Sequence, residues 1–312
     1  MSGKNVLLTG VSSFTGFWFA KELKLKGFNI FCPLPRSEND YNGIKAKRID
    51  NIKRDVKIVF DCSLGEKKFN DLLENPFEFL CLHGAHVQNY ESPKFELLNS
   101  LNRNLNEIEF ILKKSFVNGC KTVLWTSSIF EDVIDNNDEN SDNYKVPWLK
   151  YALSKKTSYT IVKHLALSMG LNFVRFVISN PFGPFEDKKL CFHLTKSLTE
   201  GSDFIVKTPD YVRDMIHVEN LAENYVKQIS QPSETSFKEC RPSEYRMKIF
   251  DFAKLLTSKY NQFHDTERGI GKMKQEKFCE PLELLNNGYH SSLGISNDND
   301  NLWHNYFEFY SN

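Results

Sequence analysis

Three side chains near the middle of this 312-residue chain suggest chemistry most directly. Tyr151 and Lys155 stand four apart in Tyr151-Ala152-Leu153-Ser154-Lys155, inside a stretch from Trp148 to Met169 that reads as one helix stopped by Gly170. Residues four apart share a helix face, which puts an ammonium beside a phenol. A nearby positive charge favours phenolate and is expected to lower the tyrosine pKa from its reference near 10 toward working pH. A phenol so placed can pass a proton to or from a hydroxyl, an effect typically worth about 10²–10⁴ in rate. Ser128 precedes Tyr151 by 23 residues and closes Trp125-Thr126-Ser127-Ser128. That run ends a predicted strand and presents a hydroxyl at the carboxyl edge of a sheet, where α/β sites lie. Alone, Tyr-x-x-x-Lys is common as a half-buried aromatic beside a solvated lysine. The combination with the serine is the signal.

A second constellation lies at the N-terminus. The apolar run Asn5–Leu8 passes into Thr9-Gly10-Val11-Ser12-Ser13-Phe14-Thr15-Gly16, and a helical pattern from Phe14 to Lys26 follows. A Gly after a strand permits a sharp turn, a small residue three later lets backbone approach a pyrophosphate, and a third small residue lets helix pack on strand. The phosphates would meet free N–H groups at the positive helix end. Gly10, Ser13, Phe14 and Gly16 are therefore candidate dinucleotide contacts, with Ser13 where a second Gly is expected. An acidic residue after the second strand would hold the 2′-hydroxyl of NAD. Here the sequence is Cys32-Pro33-Leu34-Pro35-Arg36-Ser37. It offers no carboxylate, and Arg36 with Ser37 suits a 2′-phosphate, which tilts the expected cofactor to NADP with NAD still possible. Asp61-Cys62, after the third strand, is placed to contact adenine.

These groups need a scaffold. Further strands are predicted at Asn29–Cys32, Lys57–Phe60, Phe79–Leu82, Thr122–Trp125 and Asn172–Ile178, with a long helix from about Glu96 to Asn118. Alternating strand and helix imply right-handed crossovers and a parallel sheet, an α/β Rossmann-like doubly wound fold over 1–183. The remainder, 184–312, reads as a smaller α/β substrate lobe, with parts near 205–228 returning to the first domain. It carries a helix at Leu190–Thr199, an extended piece around Phe204–Lys207 and a helix near Val218–Gln228. The acidic segment Glu131–Asn143 reads as a solvated loop.

Composition narrows the class. Lys+Arg and Asp+Glu are 40 each, so no net charge pulls the chain to nucleic acid or an anionic membrane. No apolar run approaches the ~20 residues of a spanning helix, and the apolar part of the N-terminus is too short for a signal peptide. Seven widely spaced cysteines without a Cys-x-x-Cys pair argue for reduced thiols and a cytoplasmic protein.

Taken in order, Thr9-Gly10…Gly16, Asp61, His83-Gly84-Ala85, Thr126-Ser127-Ser128, Tyr151…Lys155, Asn180-Pro181-Phe182-Gly183-Pro184 and Tyr211-Val212-Arg213-Asp214-Met215-Ile216-His217-Val218 resemble an extended short-chain dehydrogenase/reductase of the NAD-dependent epimerase/dehydratase group, relatives of UDP-galactose 4-epimerase. Cys279-Glu280-Pro281-Leu282 and Leu293-Gly294 are compatible with the terminal segment of that group. The resemblance implies that Ser128, with Ser127 as fallback, bonds the reacting sugar oxygen and that Tyr151 is the proton donor or acceptor. It implies that Lys155 holds the nicotinamide ribose and biases Tyr151, and that Asn104 lies beneath the site. His83, Gly84 and Ala85 would lie near the cofactor, Asn180 would contact substrate or nicotinamide, and Arg213 would pair with the substrate diphosphate, unless it makes a structural ion pair instead.

Departures sharpen the expectation. Dehydratases of the group follow the active hydroxyl with Asp-Glu, whereas Ile129-Phe130 follows Ser128 here. His83 and His86 lack further ligands, so no metal site is expected. Reduction of a 4-keto nucleotide sugar by NADPH is the leading expectation and a 4-epimerase with tightly bound NAD the alternative. A reductase of non-nucleotide carbonyls and a non-catalytic dinucleotide-binding protein are lesser ones. A homodimer through the helices near 96–118 and 148–169 would fit the group.

Overall fold

The computed structural model describes residues 3–86, 92, 94–135, 147–231, 235–274, 280–286, 294–295 and 297–311. In chain order, strand β1 (Asn5–Leu8) leads to helix α1 (Phe14–Leu25), β2 (Asn29–Pro33), α2 (Gly43–Ile52), β3 (Lys57–Val59), α3 (Lys67–Leu72) and β4 (Phe79–Leu82). Helices α4 (Leu97–Leu105) and α5 (Ile108–Val117) precede β5 (Thr122–Ser128), α6 (Asp132–Asp135), α7 (Pro147–Ser168) and β6 (Asn172–Ile178). Then come β7 (Asn180–Phe182), α8 (Leu190–Glu200), β8 (Val212–His217), α9 (Val218–Ser230), β9 (Phe237–Cys240), β10 (Tyr245–Lys248), α10 (Ile249–His264), β11 (Glu283–Leu284), β12 (Gly294–Ile295) and α11 (Asp300–Ser311).

The chain divides into two compact units, one of Met1–Val177 with Ala222–Cys240, the other of Ile178–Leu221 with Arg241–Asn312. The first holds a seven-stranded sheet in the order β3-β2-β1-β4-β5-β6-β9. β1 runs parallel to β2 and β4, β2 to β3, β4 to β5, and β6 to β9. The order turns back at β1 and β4, the switch point at which α/β sheets open a crevice for ligands. Leu7, Leu80, Leu82, Val123, Trp125, Ile111, Val162 and Phe173 form the core between this sheet and its helices. The second unit is built on a smaller sheet in which β10 pairs antiparallel with β8 and β12, while β7 and β11 run parallel to β8. Phe182, Tyr245, Phe252, Trp303 and Tyr306 form its aromatic core.

Several expectations change. The single helix from Glu96 to Asn118 is two, because Glu107 adopts φ 54° and breaks the ladder between α4 and α5. β5 runs three residues past Trp125 and ends at Ser128, so both serines belong to the strand end. The extended piece at Phe204–Lys207 forms only an isolated bridge, Val206 to Met273. The sequence pattern gives no sign of helices α2, α3, α6 and α10. Cys279, Leu293 and residues 136–143 of the acidic segment lie outside the described residues. Among the described residues, no helix is long and apolar enough to cross a membrane.

Candidate active site

The glycine turn closes β1 onto α1. Gly10 has φ +78°, and a Cβ there would stand 2.7 Å from Gly84 Cα and 2.8 Å from Gly84 N. A Cβ on Gly16 would collide with the Gly10 carbonyl oxygen. Both positions thus require glycine, the first for conformation and the second for close approach. Ser13 caps α1: its Oγ accepts the Gly16 N–H at 3.2 Å and donates to the Gly10 carbonyl at 2.8 Å. A serine in the expected glycine position therefore serves as the helix N-cap. With its one proton given to Gly10, Ser13 Oγ accepts from His83 Nε2 at 3.0 Å, which assigns the Nε2–H tautomer. His83 Nδ1 then accepts from Thr126 Oγ1 at 3.2 Å. Burial and the Lys155 charge push the His83 pKa down to about 3, so the ring is neutral. His83 thus links the glycine turn on β1 to the end of β5 across β4. The N–H of Gly84 donates to Thr9 Oγ1 at 2.7 Å, leaving Gly84 exposed and Ala85 half-buried beside the turn.

Ser128, Tyr151 and Lys155 come from β5 and α7. Ser128 hydrogen-bonds the Tyr151 phenol, and Lys155 Nζ donates to the Thr126 carbonyl at 2.7 Å, one strand residue inside the serines. Burial drives the phenol pKa up to about 12, with the Glu131 carboxylate adding to the rise and the Ser128 hydroxyl opposing it. The sequence led to the opposite direction. The physical reason is that desolvation penalises phenolate, while the Lys155 ammonium is engaged by a backbone carbonyl. The Lys155 pKa is itself lowered by burial, with Glu131 opposing and Arg175 adding. Asn104, buried on α4, accepts the His86 N–H on its Oδ1 at 2.7 Å, and Ser100 donates to the His86 carbonyl at 3.0 Å while bonding Ser154 of α7 at 2.8 Å. Asn104 therefore ties the loop after β4 to the helix beneath it.

Sequence reading missed two residues here. Glu131, assigned to a solvated loop, is completely buried, and Arg175 lies within β6. Arg175 Nη2 meets Glu131 Oε2 at 3.0 Å, Nε donates to Ser127 Oγ at 3.1 Å, and Nη1 meets Glu239 Oε2 at 2.9 Å. Two signals were available. Ser128-x-x-Glu131 is a capping-box spacing, and a lone Arg in the apolar strand Asn172–Ile178 demands a buried partner.

At the far end of β2, Arg36 is exposed and its carbonyl accepts the Asp61 N–H at 3.1 Å. Asp61 takes φ 52° and is exposed; Cys62 is buried, and its thiol pKa rises to about 11. Ser37 donates to Asp40 Oδ2 at 2.8 Å. The sequence reading found no carboxylate in reach. The turn Glu38–Asp40 brings one back to the residue assigned to a phosphate.

In the second unit, half-buried Asn180 donates to the Asp214 carbonyl at 3.5 Å. Arg213 is buried, pairs with Glu280 at 2.9 Å and donates to the Leu282 carbonyl at 3.1 Å. The ion pair considered as the alternative for this arginine is present.

Sheet order and glycine turn define a Rossmann-type dinucleotide fold. The model of the NAD dependent epimerase/dehydratase family matches residues 6–239, and the chain belongs to that family. A sequence comparison with curated proteins finds no match. Among solved structures it is similar to a UDP-N-acetylglucosamine 4-epimerase from Methanobrevibacter ruminantium, at 16% identity and TM-score 0.73 over 100% of this chain and 99% of that one. A UDP-glucose 4-epimerase from Thermotoga maritima, with UDP-glucose, gives 14% and 0.71 over 98% of each chain. DesIV, a dTDP-glucose 4,6-dehydratase from Streptomyces venezuelae with NAD bound, gives 13% and 0.69 over 98% of this chain and 97% of that one.

Proposed function

We propose that the chain is an NAD(P)-dependent oxidoreductase that reduces the 4-keto group of a nucleotide-activated sugar, with Tyr151 as proton donor. The observation that carries the reading is the Ser128–Tyr151 hydrogen bond between β5 and α7, with Lys155 of the same helix held on the Thr126 carbonyl at 2.7 Å. A protonated phenol is in the state needed to give its proton to a carbonyl oxygen.

The turn at Gly10 fits a dinucleotide, because its left-handed backbone carries β1 directly into the N-terminus of α1 at Phe14, where a pyrophosphate meets the positive end of the helix. Gly10, Ser13, Phe14 and Gly16 would hold the pyrophosphate. Asp61 and Cys62 would contact adenine, with Arg36 on the adenosine phosphate. His83, Gly84, Ala85 and Asn104 would border the nicotinamide, and Lys155 its ribose. The dinucleotide, when bound, supplies the hydride. Ser128 would orient the sugar oxygen, Tyr151 would protonate it, and Asn180 and Arg213 would be the substrate contacts. For Arg213 this requires a diphosphate to replace Glu280, an exchange the guanidinium fork permits.

A 4-epimerase with tightly bound NAD is the second reading. The Asp40 carboxylate on Ser37 favours it, since a carboxylate near that strand end suits a 2′-hydroxyl rather than a 2′-phosphate. A homodimer belongs to either reading, through α4, α5 and α7, where Leu98, Phe110, Leu153 and Ile161 are exposed. We place the protein in the cytoplasm, since all six described cysteines are free thiols.

The deciding experiment releases any bound dinucleotide by denaturation and identifies it by mass spectrometry. Stoichiometric NAD overturns the reductase in favour of the epimerase. An empty protein that binds NADPH more tightly than NADH and consumes it with a 4-keto nucleotide sugar supports the reductase.

A further inference from the structure

We propose that Glu131, held by Arg175, is a positioning residue that sets the Ser128 hydroxyl against Tyr151; the inference rests on the proton-transfer role given to that pair above. Ser128 ends β5 and opens the short turn Ile129–Glu131. One oxygen of the Glu131 carboxylate accepts the Ser128 N–H at 2.8 Å, and the other meets Arg175 at 3.0 Å. The same guanidinium reaches back to the Ser127 hydroxyl at 3.1 Å and stacks over the Tyr159 ring at 4.4 Å. One ion pair therefore grips two consecutive serines, Ser127 by its side chain and Ser128 by its backbone.

The consequence for Ser128 follows from strand geometry. Successive side chains on a strand point to opposite faces. With Ser127 fastened inward on Arg175, Ser128 must face the other way. Its Oγ already accepts the Phe130 N–H at 3.4 Å. A hydroxyl has a single proton, and that proton is left for the Tyr151 oxygen. The fastening also separates the two serines by role, because Ser127 is committed to the interior.

Stability alone is a poor account of these charges. A buried ion pair often adds little over apolar residues of the same volume, because desolvation offsets its Coulomb energy. Here the pair is spent on the strand end that carries the reactive hydroxyl. Asp132 at 3.5 Å and Glu239 at 2.9 Å complete the negative shell around Arg175.

The test is a double-mutant cycle with a second readout independent of turnover. E131Q keeps size and shape but leaves Arg175 facing an amide. The expected result is a tenfold or larger loss of kcat, with KM and dinucleotide Kd within threefold of the parent. In the S128A background the same substitution should cost less than twofold. The second readout is the 13Cζ shift of Tyr151 at neutral pH, assigned by its loss in Y151F. It should move with S128A, move the same way with E131Q, and show no added change in the double variant. Retained kcat, equal kcat losses in both backgrounds, or a Tyr151 resonance blind to E131Q overturns the proposal. A parent enzyme that turns over no sugar nucleotide defeats the functional reading, while the resonance still decides the positioning. If E131Q does not fold, E131Q/R175Q removes both buried charges together and is put through the same cycle.

Discussion

The hydroxyl of Ser128 is bonded to the phenol of Tyr151, whereas the hydroxyl of its neighbour Ser127 is bonded to Arg175 within the sheet. Two adjacent serines of one strand thus divide into one facing a titratable group and one facing a fixed charge. Substitution should separate them. S128A is expected to show its larger effect in kcat. S127A should show its larger effect in thermal stability, about 1–3 kcal/mol, because it strands a buried guanidinium N–H. Y151F should lose about 10²–10⁴ in kcat. Equal kcat losses for the two serine variants would contradict this division.

A pH profile follows from the state of the phenol. With the Tyr151 pKa pushed up to about 12, the phenol stays protonated through the neutral and mildly alkaline range, as the proposed role of proton donor requires. The kcat for ketone reduction should therefore be flat from about pH 7 to pH 10, instead of falling near the tyrosine reference value of ~10. The S128A variant loses the bond that favours phenolate, so its phenol pKa moves further up. A rate that declines from about pH 8 with a single ionisation would show that substrate or cofactor binding reverses the effect of burial.

The glycine turn gives a sharper test of backbone geometry. Gly10 is left-handed, and its missing Cβ is where Gly84 backbone passes. Gly10→Ala combines a left-handed cost of about 1–2 kcal/mol with a collision against backbone that cannot rotate away. Expected are a lower melting temperature and at least tenfold weaker dinucleotide binding, read by titration. Gly119 also has positive φ but has open space about its Cβ position. Gly119→Ala should lower stability with little effect on binding.

Much of the first unit was legible because its signals are local. A strand, a glycine turn and an amphipathic helix are written within about thirty consecutive residues, and each element constrains the next. The hydroxyl, phenol and ammonium were found the same way, from spacing along one strand and one helix. The Glu131–Arg175 pair was not, since its halves lie on β5's exit and on β6, and only sheet pairing brings them together. Asp40 was missed because a short turn, not a strand, returns it to Ser37. The break at Glu107 gave no proline or glycine to mark it. In the second unit, strands of two to six residues carry little periodicity, and its helices α10 and α11 are ordered by an aromatic core that forms only on folding.

Cofactor choice depends on Arg36 and Asp40 together. If the exposed Arg36 meets a 2′-phosphate, Arg36→Ala should weaken NADPH about tenfold and NADH less than twofold, since a charge-assisted bond is worth about 1.5–3 kcal/mol. Asp40→Asn removes the carboxylate bonded to Ser37 and should shift preference further toward NADPH. Fluorescence titration of both dinucleotides against the two variants checks this. Equal losses for NADPH and NADH in Arg36→Ala would show that the arginine does not read the phosphate.

The second unit makes a prediction about stability that needs no substrate. Glu186 is buried, accepts the Tyr306 hydroxyl at 2.8 Å and the Tyr310 hydroxyl at 3.3 Å, and its pKa is pushed up to about 8, chiefly by burial. The folded chain thus holds a proton that the unfolded chain releases near the ordinary carboxyl value. Its stabilising contribution is present in full below about pH 4.5 and is lost progressively as pH rises to about 8. The fall should be on the order of a few kcal/mol, by the free energy carried by each unit of pKa. Glu186→Gln replaces the protonated acid with a neutral amide that cannot ionise. Thermal unfolding followed from pH 5 to pH 9 should show the parent losing stability toward pH 8 relative to this variant, with the difference constant above that. Parallel curves for the two proteins would mean that Glu186 is ionised in the folded state throughout.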